Sequence, residues 1–340
     1  MRKLLKQTEF YLALVIIFLG LIITAYNPRF LTAENIFDLL KSFSVMGIMG
    51  VGVLFVLILG GTPDVSFTAI AQVAEYAVVL MTLKWGGNIL LAFLVACTIG
   101  AVMGRFNGYL VHLFRVPTII ITIATSNIFF GLLYVLSRGQ VIFVIHPMFR
   151  RFAEIRIGNL VSQHGVHFGL SLMPIIWLLV LVVGWFILKH TRIGRDIYAI
   201  GGNELAAERV GIPVYRTRLS VFTFVGVLAG IAAVVHAAIV QSAIPNSLVG
   251  QELNVIAAVF LGGASVFGGS GTIIGTFLGI MLLAIVNNGL TLLGISSYWY
   301  SIFVGAVIVI SITVSALQRI RQEKTRVKVQ VDTEGVTSLV

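Results

Sequence analysis

The chain carries few charged side chains. Only 11% of its 340 residues are Asp, Glu, Lys or Arg, whereas a typical soluble domain has about 25%. Hydrophobic residues make up 58% of the chain, which is more apolar surface than a soluble fold of this size can hide. A lipid bilayer removes this limit because it solvates apolar side chains itself. The composition therefore excludes an ordinary soluble enzyme and indicates an integral membrane protein.

Cysteine and metal-binding motifs are nearly absent as well. The single cysteine, Cys97, lies in an apolar run, so no intrachain disulfide can form and cysteine usage indicates no compartment. His164 and His167 are close in sequence, but no carboxylate lies near them and no His-Glu-x-x-His motif occurs. We therefore predict no metal site and no cofactor.

Motifs for nucleotide hydrolysis and nucleophilic catalysis are missing. No Gly-Lys-Ser/Thr triplet occurs, so the glycine-rich residues 268–271 do not form a phosphate loop. No Gly-x-Ser-x-Gly motif and no catalytic pair are visible either. The chain is not expected to be an enzyme or to hydrolyse ATP itself, and an intramembrane enzyme is disfavoured.

Long apolar runs are abundant, and runs of about 17–25 residues predict helices that span a bilayer. The candidate runs cover residues 10–26, 44–60, 65–83, 89–104, 117–137, 170–188, 217–240, 253–267, 272–293 and 297–317. The run at 253–267 is short and is not expected to cross fully. Residues 44–83 form two spans, or one span and a re-entrant piece, since Gly60, Gly61 and Pro63 interrupt them. The predicted fold is an all-α, polytopic transmembrane helical bundle of about ten spans.

The basic residues are distributed unevenly between the loops. With ten spans both termini lie on one side, and that side carries 16 of the 23 Lys and Arg residues. The positive-inside rule makes this side the cytoplasm. The position of the basic residues thus orients the chain, and the net charge of +10 does not indicate a nucleic-acid partner. We expect one transmembrane domain at 1–325, an outer loop at 138–169, a cytoplasmic loop at about 189–216 and a disordered cytoplasmic tail at 326–340.

Polar residues share one face of the third predicted span. Asp64, Thr68, Gln72 and Glu75 are spaced by four, four and three residues, which places them on one side of a helix. A carboxylate such as that of Glu75 costs about 2.5–3.5 kcal/mol or more in lipid and must face a cavity or a partner. The face is either a polar wall of a translocation path or a buried structural network. Asp64 alternatively caps the third helix.

Two further spans contain polar residues. His236, inside the seventh run, either lines the path or hydrogen-bonds a neighbouring carbonyl group. The fifth run carries hydroxyl groups and the amide of Asn127, which bind either a polar solute or carbonyl groups of their own helix.

The glycines follow small-xxx-small spacing in several runs, which lets membrane helices approach closely. We interpret these glycines as packing positions. The pairs are Gly100/Gly104, Gly104/Gly108, Gly226/Gly230, Gly271/Gly275 and Gly275/Gly279.

The cytoplasmic loop contains the signals of a short capped helix. Asn203 is a suitable N-cap, acidic residues follow it, Gly211 suits the C′ position and Pro213 prevents continuation. These signals predict a helix at about 204–210. We call residues 203–211 the knob. It either merely closes a connection or docks a cytoplasmic partner.

The same loop resembles a known family. The run TRIGRDIYAIGGNELAAERVGI at residues 191–212 closely resembles the cytoplasmic loop of ribose-type permeases of bacterial ATP-binding-cassette importers. The glycine-rich residues 253–276, then 287–290 and 293–298, are similar to the segments that follow in that family. Residues 107–111 also fit, so the resemblance covers nearly the whole chain.

The resemblance implies a permease subunit in the bacterial plasma (inner) membrane. Two permeases, identical or paralogous, would pair around a central path, a cytoplasmic ATP-binding-cassette subunit would hydrolyse ATP, and an external substrate-binding protein would deliver a monosaccharide or related polar solute. The knob would dock the ATPase. The coupling residues implied are Gly202, Asn203, Glu204, Ala206, Ala207, Glu208 and Gly211.

The family motif Gly-Ile-Asp-Leu-Ser-Val-Gly is only partly present. Asp64 and Ser66 match it, whereas Pro63 and Phe67 depart from it. The polar positions expected along the path are Asp64, Ser66, Thr68, Gln72, Glu75, Asn127, Asn287 and Asn288.

A second hypothesis is an ion-coupled secondary transporter that uses Glu75 or Asp64 as a proton site, because broken helices also occur in that class. The loop at 190–213 discriminates between the two, since a secondary transporter does not need a capped docking knob.

Overall fold

The computed structural model describes residues 2–161, 167–296, 298–313 and 317, and most of this chain is helical. The long helices are α1 Arg2–Tyr26, α2 Ala33–Gly60, α3 Phe67–Trp85, α4 Ile89–Phe114, α5 Thr118–Ser137, α7 Leu172–His190, α10 Val214–Val240 and α12 Ile273–Leu292. The shorter elements are the 3-10 turn Pro28–Leu31, α6 Pro147–Glu154, β1 Arg156–Val161, β2 His167–Ser171, α8 Arg192–Gly202, α9 Glu204–Arg209, α11 Gln251–Leu261 and α13 Tyr298–Thr313.

Each predicted span overlaps a helix of the structure. Eight helices in the described part of the chain are long and apolar enough to cross a membrane, and α11 and α13 are shorter. The chain is thus a multi-pass helical membrane protein. The run at 253–267 corresponds to α11, whose 11 residues rise only about 16 Å against a hydrocarbon core of about 30 Å.

The second and third spans are separate helices. α2 ends at Gly60, and Gly61 adopts a left-handed conformation with φ 71° while its N–H donates to the carbonyl of Leu57. Pro63 lies in the irregular connection that follows, and α3 begins at Phe67. Of the two alternatives for residues 44–83, the structure has two helices joined by a loop.

α2 is also longer than predicted and begins at Ala33. The hydroxyl of Thr32 caps its first turn by accepting the N–H of Asn35 at 3.3 Å. Its first turns carry Glu34, Asp38 and Lys41, which break the apolar run and conceal the helix start from a hydropathy argument.

The core forms around α2, which is buried along most of its length and packs against α7, α10, α11 and α12. The helices α4 and α10 share the most extensive contact of any pair in the described part of the chain. A Cβ atom on Gly100 would overlap the carbonyl oxygen of Gly226, and one on Gly226 would overlap that of Gly100. Gly104 and Gly230 meet the opposite backbone in the same way. The structure thus confirms these glycines as packing positions.

α11 and α12 cross with equally close contact. A Cβ atom on Gly275 would overlap the carbonyl oxygen of Gly262, and one on Gly279 would overlap that of Ala258. The short helix α11 is therefore held firmly against α12 despite its length.

The bundle has two ends. At the knob end, the N–H of Gly269 in the loop 265–271 donates to the carbonyl of Ile58 in the last turn of α2 at 2.8 Å. α8 lies beside both, because a Cβ atom on Gly201 would overlap the carbonyl oxygen of Ile58 and the backbone nitrogen of Gly269. At the hairpin end, Asn35 at the start of α2 meets Asn288 near the end of α12. The strands β1 and β2, which precede α7, lie at this end as well.

The segment at 138–169 is not only a loop, and the all-α prediction needs this correction. It contains α6 and one strand of an antiparallel pair, with Arg156 opposite Ser171 and Ile157 opposite Leu170. His146 caps α6 by accepting the N–H of Met148. The short apolar stretches around 156–171 can pair with each other in a hairpin but are too short for a spanning helix. His164 and the predicted tail at 326–340 lie outside the described residues.

Close packing of α4 on α10 leads to a first prediction. Gly226→Ala should destabilise the chain by about 1–3 kcal/mol or more, because the added methyl meets a backbone carbonyl that cannot rotate away. Gly131 on α5 has no atom within 4 Å of the place that an added methyl group would take, so Gly131→Ala should be neutral or stabilising by about 0.5–1 kcal/mol. Thermal unfolding of the detergent-solubilised variants measures both. Equal effects at the two positions would contradict the close contact.

Candidate functional site

The polar residues of α3 lie on one buried face. Thr68, Gln72 and Glu75 are all buried, and Asp64 and Ser66 are buried in the connection that precedes the helix. The spacing argument is therefore right for Thr68, Gln72 and Glu75, whereas Asp64 lies before the helix and not on its face. We call these five residues the polar column. It runs from the knob end towards the middle of the bundle.

The column begins in a tight turn before α3. One carboxylate oxygen of Asp64 accepts both the N–H and the hydroxyl of Ser66, each at 2.6 Å. The amide of Asn107 on α4 donates to the Ser66 hydroxyl at 2.6 Å. The N–H of Val65 donates to the hydroxyl of Thr122 on α5 at 3.2 Å. Asp64 thus closes the turn before α3, and this turn joins three helices.

The middle of the column contacts the segment 241–250, which connects α10 to α11. The side-chain oxygen of Gln72 accepts the hydroxyl of Ser247 at 2.9 Å and the N–H of Leu248 at 3.0 Å. The hydroxyl of Thr68 donates to the carboxylate of Glu252 at 3.3 Å, and the same carboxylate oxygen accepts the N–H of Gly250 at 3.0 Å. An irregular segment therefore lies against the polar face of α3.

The end of the column towards the middle of the bundle is a buried pair formed by the Glu75 carboxylate and the His236 imidazole. Oε2 of Glu75 lies 2.8 Å from Nδ1 of His236 on α10. The Glu75 side chain is inaccessible, and that of His236 is 13% exposed. One residue further along α3, the hydroxyl of Tyr76 donates to the carbonyl of Gln140 at 3.0 Å. A lone carboxylate would be costly at this depth, and the histidine supplies its partner.

Three of the predicted path residues lie elsewhere. Asn127 is exposed on α5 and donates to the carbonyl of Ile123 in its own helix at 2.9 Å. Asn288 exchanges two side-chain hydrogen bonds with Asn35 at the hairpin end. Asn287 is half-buried beside it on α12. The structure thus brings together the polar residues on α3 and in the turn before it, and it leaves these three asparagines apart. A role for any of the three asparagines in transport remains a prediction.

Four further residues contact the column, and the spacing on α3 could not reveal them. Asn107 and His236 come from α4 and α10, and Ser247 and Glu252 come from the α10–α11 connection and the start of α11. Their sequence distance from α3 explains why no local pattern identifies them. The one available signal was the isolated polarity of His236 in an apolar run, and its partner is a carboxylate and not a carbonyl group.

The knob is a short helix with the predicted caps. The side chain of Asn203 accepts the N–H of Ala206 at 3.0 Å, α9 ends at Arg209, and Gly211 has a φ of 83°. Leu205 and Val210 are 69% and 77% exposed. Surface leucine and valine on a rigid knob suit contact with another protein.

A second helix, α8, was not foreseen in this loop. The hydroxyl of Thr191 caps it by accepting the N–H of Gly194 at 3.2 Å, and Ile197 and Ile200 are buried. The isoleucines at 193, 197 and 200 follow helical spacing, so the signal was present but lay next to a stronger turn signal at Gly201 and Gly202.

α8 ties the knob to the transmembrane helices. A Cβ atom on Gly201 would overlap the carbonyl oxygen of Ile58 at the end of α2. The hydroxyl of Tyr198 donates to the carbonyl of Gly271 at 2.8 Å, and burial raises the pKa of this hydroxyl, so it keeps the proton that it donates. The helix that carries the knob, the end of α2 and the loop 265–271 therefore meet at close range.

A polar link also connects the knob to α10 and α4. The guanidinium of Arg218 on α10 lies 2.8 Å from the carboxylate of Glu204 and 3.3 Å from the ring of His112 on α4. Arg218 thus connects Glu204, the first residue of α9, to both α10 and α4.

Metal chemistry finds no support in the described part of the chain, where no group of three or more His, Cys, Asp or Glu side chains could hold an ion.

Removal of one partner should show that Glu75 and His236 are energetically coupled. His236→Ala should destabilise the chain by about 3–5 kcal/mol, because it leaves a buried acid without its partner. In a Glu75→Gln background the same substitution should cost only about 0.5–1.5 kcal/mol, the value of a neutral hydrogen bond. Detergent-solubilised unfolding of the four chains measures the cycle, and an equal cost in both backgrounds would argue against coupling.

Known proteins resemble this chain over most of its length. Residues 35–312 match the family described as "Branched-chain amino acid transport system / permease component". The ribose import permease protein RbsC of Escherichia coli K12 is 34% identical over 92% of this chain and 94% of its own. The galactose/methyl galactoside import permease protein MglC of Haemophilus influenzae is 33% identical over 93% and 95%.

A third relative is named for a different cargo. The autoinducer 2 import system permease protein LsrC of an Enterobacter strain is 31% identical over 96% of this chain and 91% of its own. No solved structure matches the chain significantly. The chain therefore belongs to the family of permease components that includes these ribose, galactose and autoinducer 2 import permeases, and it is a transport subunit and not an enzyme.

Proposed function

We propose that this chain forms the membrane path of an ATP-driven, binding-protein-dependent importer for a monosaccharide or a related small polar solute. The observation that carries the proposal is the connection between an exposed, capped knob and α10, which supplies His236 to the buried polar column. Glu204 of the knob pairs with Arg218 of α10, and His236 of the same helix pairs with Glu75. A motion imposed on the knob by a partner would reach the column through α10.

The cargo class follows from the relatives and from the chemistry of the column. Relatives of this chain are named for ribose, galactose and allose, which are neutral sugars with several hydroxyl groups. The column offers an amide, hydroxyl groups, the carboxylate of Glu75 paired with His236, and the carboxylate of Asp64 hydrogen-bonded to Ser66. Such groups exchange hydrogen bonds with the hydroxyl groups of a sugar.

The family match disfavours the ion-coupled carrier. The chain belongs to a family of permease components of transport systems, and a carrier that works alone does not need a capped docking knob.

The orientation and the number of crossings are part of the proposal. The knob end carries the basic residues of the 189–218 loop, which favours its placement in the cytoplasm with both termini. Residues 241–250 and α11 together would make the eighth crossing, because Ala243 pairs with Ile142 while Gly262 lies against α12 near the loop 265–271. This gives ten crossings in a bacterial plasma membrane.

The proposed partners follow from the two ends. A cytoplasmic ATP-binding-cassette subunit would receive the knob, with Leu205 and Val210 at the contact. An external substrate-binding protein would dock at the hairpin end, over α6 and the β-hairpin. A second permease, identical or paralogous, would complete the path.

Purification of the tagged chain from its native membrane in mild detergent tests the proposal. We expect a stoichiometric subunit with a Gly-x-x-x-x-Gly-Lys-Ser/Thr loop to copurify and to be identified by mass spectrometry. Recovery of this chain alone, under conditions that preserve other membrane complexes, would reject the importer.

Charge reversal in the knob should remove that partner. Glu208 is exposed at the end of α9, and Glu208→Lys should lower ATPase copurification by about tenfold or more, as expected when a contact worth about 1.4 kcal/mol or more is lost. Gly211→Val should act likewise, because its φ of 83° is strained for a branched residue.

Glu154→Lys on α6 is the matched control, since Glu154 is also exposed but lies at the hairpin end. It should retain the ATPase at wild-type stoichiometry. Membrane insertion of all three variants should be unchanged by quantitative immunoblotting. Undiminished ATPase binding to Glu208→Lys and Gly211→Val would refute docking at the knob.

A further inference from the structure

The segment 241–250 is irregular backbone that lies partly within the bundle. It consists of successive turns, with N–H to carbonyl bonds from Ser247 to Ile244 and from Val249 to Asn246. Pro245 and Leu248 are buried, whereas Asn246, Val249 and Gly250 are exposed. Non-helical backbone at membrane depth is tolerated only where protein covers it or where it lines a cavity. Its position therefore calls for a functional explanation.

Three contacts fix the segment in place. At one end Ala243 and Ile142 exchange two backbone hydrogen bonds of 2.9 and 3.0 Å. In the middle Gln72 accepts from Ser247 and Leu248, and at the other end Glu252 accepts from Thr68. None of these contacts is a backbone hydrogen bond within a helix, so they can open without unwinding a span.

The orientation of the Gln72 amide is fixed by chemistry. A backbone N–H can only donate, so the Gln72 atom that faces the N–H of Leu248 must be the oxygen. The NH2 group of Gln72 therefore points elsewhere. It is buried and has no hydrogen-bond partner among the described residues, and the same is true of Oε1 of Glu75.

An unused donor and an unused acceptor thus lie on one face of α3. Gln72 and Glu75 are three residues apart, which places their side chains about 5–6 Å from each other. A hydroxyl group both donates and accepts, so one hydroxyl or two neighbouring ones would satisfy this pair. The group that already occupies the oxygen of Gln72 is itself a hydroxyl, that of Ser247.

We propose that Gln72 and Glu75 form a binding station for the hydroxyl groups of a neutral polyhydroxylated cargo, and that residues 246–249 block this station in the structure, with the Ser247 hydroxyl in the place of a cargo hydroxyl. This inference rests on the proposed importer function and names its cargo contact and its gate. Cargo hydroxyls would accept from the unused NH2 of Gln72 and donate to the unused Oε1 of Glu75. A neighbouring cargo hydroxyl would replace that of Ser247 on the oxygen of Gln72, so the segment withdraws when cargo passes.

The knob is connected to the segment through α11. Tyr198 of α8 donates to Gly271, at the end of the loop that leaves α11, and α11 begins at Gln251, immediately after the segment. A displacement of α8 therefore pulls the loop 265–271 and, through the short helix α11, the segment itself. Nucleotide-driven motion of the knob would open the station in this way.

A disulfide across the first contact tests whether the segment moves. Ile142 and Ala243 exchange both backbone bonds, so their Cα atoms are about 5.5 Å apart, within the range that a disulfide spans. Ile142→Cys and Ala243→Cys are combined in a Cys97→Ala chain, which removes the single native cysteine. The complete complex is reconstituted in proteoliposomes with its copurifying ATPase, and oxidation is followed by mass spectrometry.

The resting complex should form the disulfide readily, and the complex trapped with ATP and vanadate should form it about tenfold more slowly, as for an equilibrium shifted away from the closed segment. Equal rates in the two states would overturn the gate. This readout needs no identified sugar. Failure of the importer function appears separately, as the absence of any copurifying ATPase, and would overturn the inference with it.

Uptake kinetics test the station itself with D-ribose, D-galactose and D-allose as probes. Ser247→Ala should lower the KM for a transported probe by about fivefold. The cargo then no longer has to displace the Ser247 hydroxyl from Gln72, a hydrogen bond that shifts the equilibrium towards the blocked segment by about tenfold or less. Gln72→Glu keeps the oxygen that holds the segment but loses the donor, and should raise KM. Ser242→Ala, in the same segment but outside the station, is the matched control.

An unchanged KM in both Ser247→Ala and Gln72→Glu, with normal uptake by Ser242→Ala, would overturn the station. A wild-type complex that contains the ATPase but transports none of the three sugars would overturn the assignment to a neutral sugar and leave the gate to the disulfide result. Glu75→Gln should likewise reduce uptake more than it reduces the amount of folded protein, whereas a purely structural Glu75 would show the reverse.

Discussion

The hydrogen bonding of the buried column on α3 is the constraint on which the rest of the structure depends. Polar side chains inside an apolar bundle must find partners within the protein, since lipid offers none. Asp64 finds Ser66, Gln72 finds the segment 241–250, and Glu75 finds His236. These partners lie on different elements, so α3 is bound to α10 and α11 by polar contacts that apolar packing alone would not orient.

Around the column, the helices are held together by close contacts between their backbones. The glycines of α4 and α10 bring two helices together with no side chain between them, and Gly201 does the same for α8 and the end of α2. Such contacts transmit displacement well because no flexible side chain lies between the elements. The polar column is thus surrounded by rigid pairs, while the irregular segment 241–250 is held against it by a few hydrogen bonds.

Local patterns predicted much of this arrangement, and distant pairings limited the rest. Spacing alone placed Thr68, Gln72 and Glu75 on one face, and the caps at Asn203 and Gly211 located the knob, because each depends on residues within a few turns. His236 and Ser247 could not be assigned to Glu75 and Gln72, since a contact across more than 150 residues leaves no periodic trace. The hairpin at 156–171 was missed because short apolar stretches fit a loop, a strand or part of a helix.

The short length of α11 has a consequence for how such a permease can change over evolutionary time. A full spanning helix is constrained along its whole length by neighbours. Residues 241–250 are constrained mainly by their hydrogen bonds to Ile142 and Gln72, and by the bond between Glu252, which follows them, and Thr68. Substitutions elsewhere in this stretch disturb no helical repeat. Substitutions within this stretch are therefore expected to be tolerated more readily than substitutions at the glycines of the helix pairs, where an added Cβ atom would meet backbone.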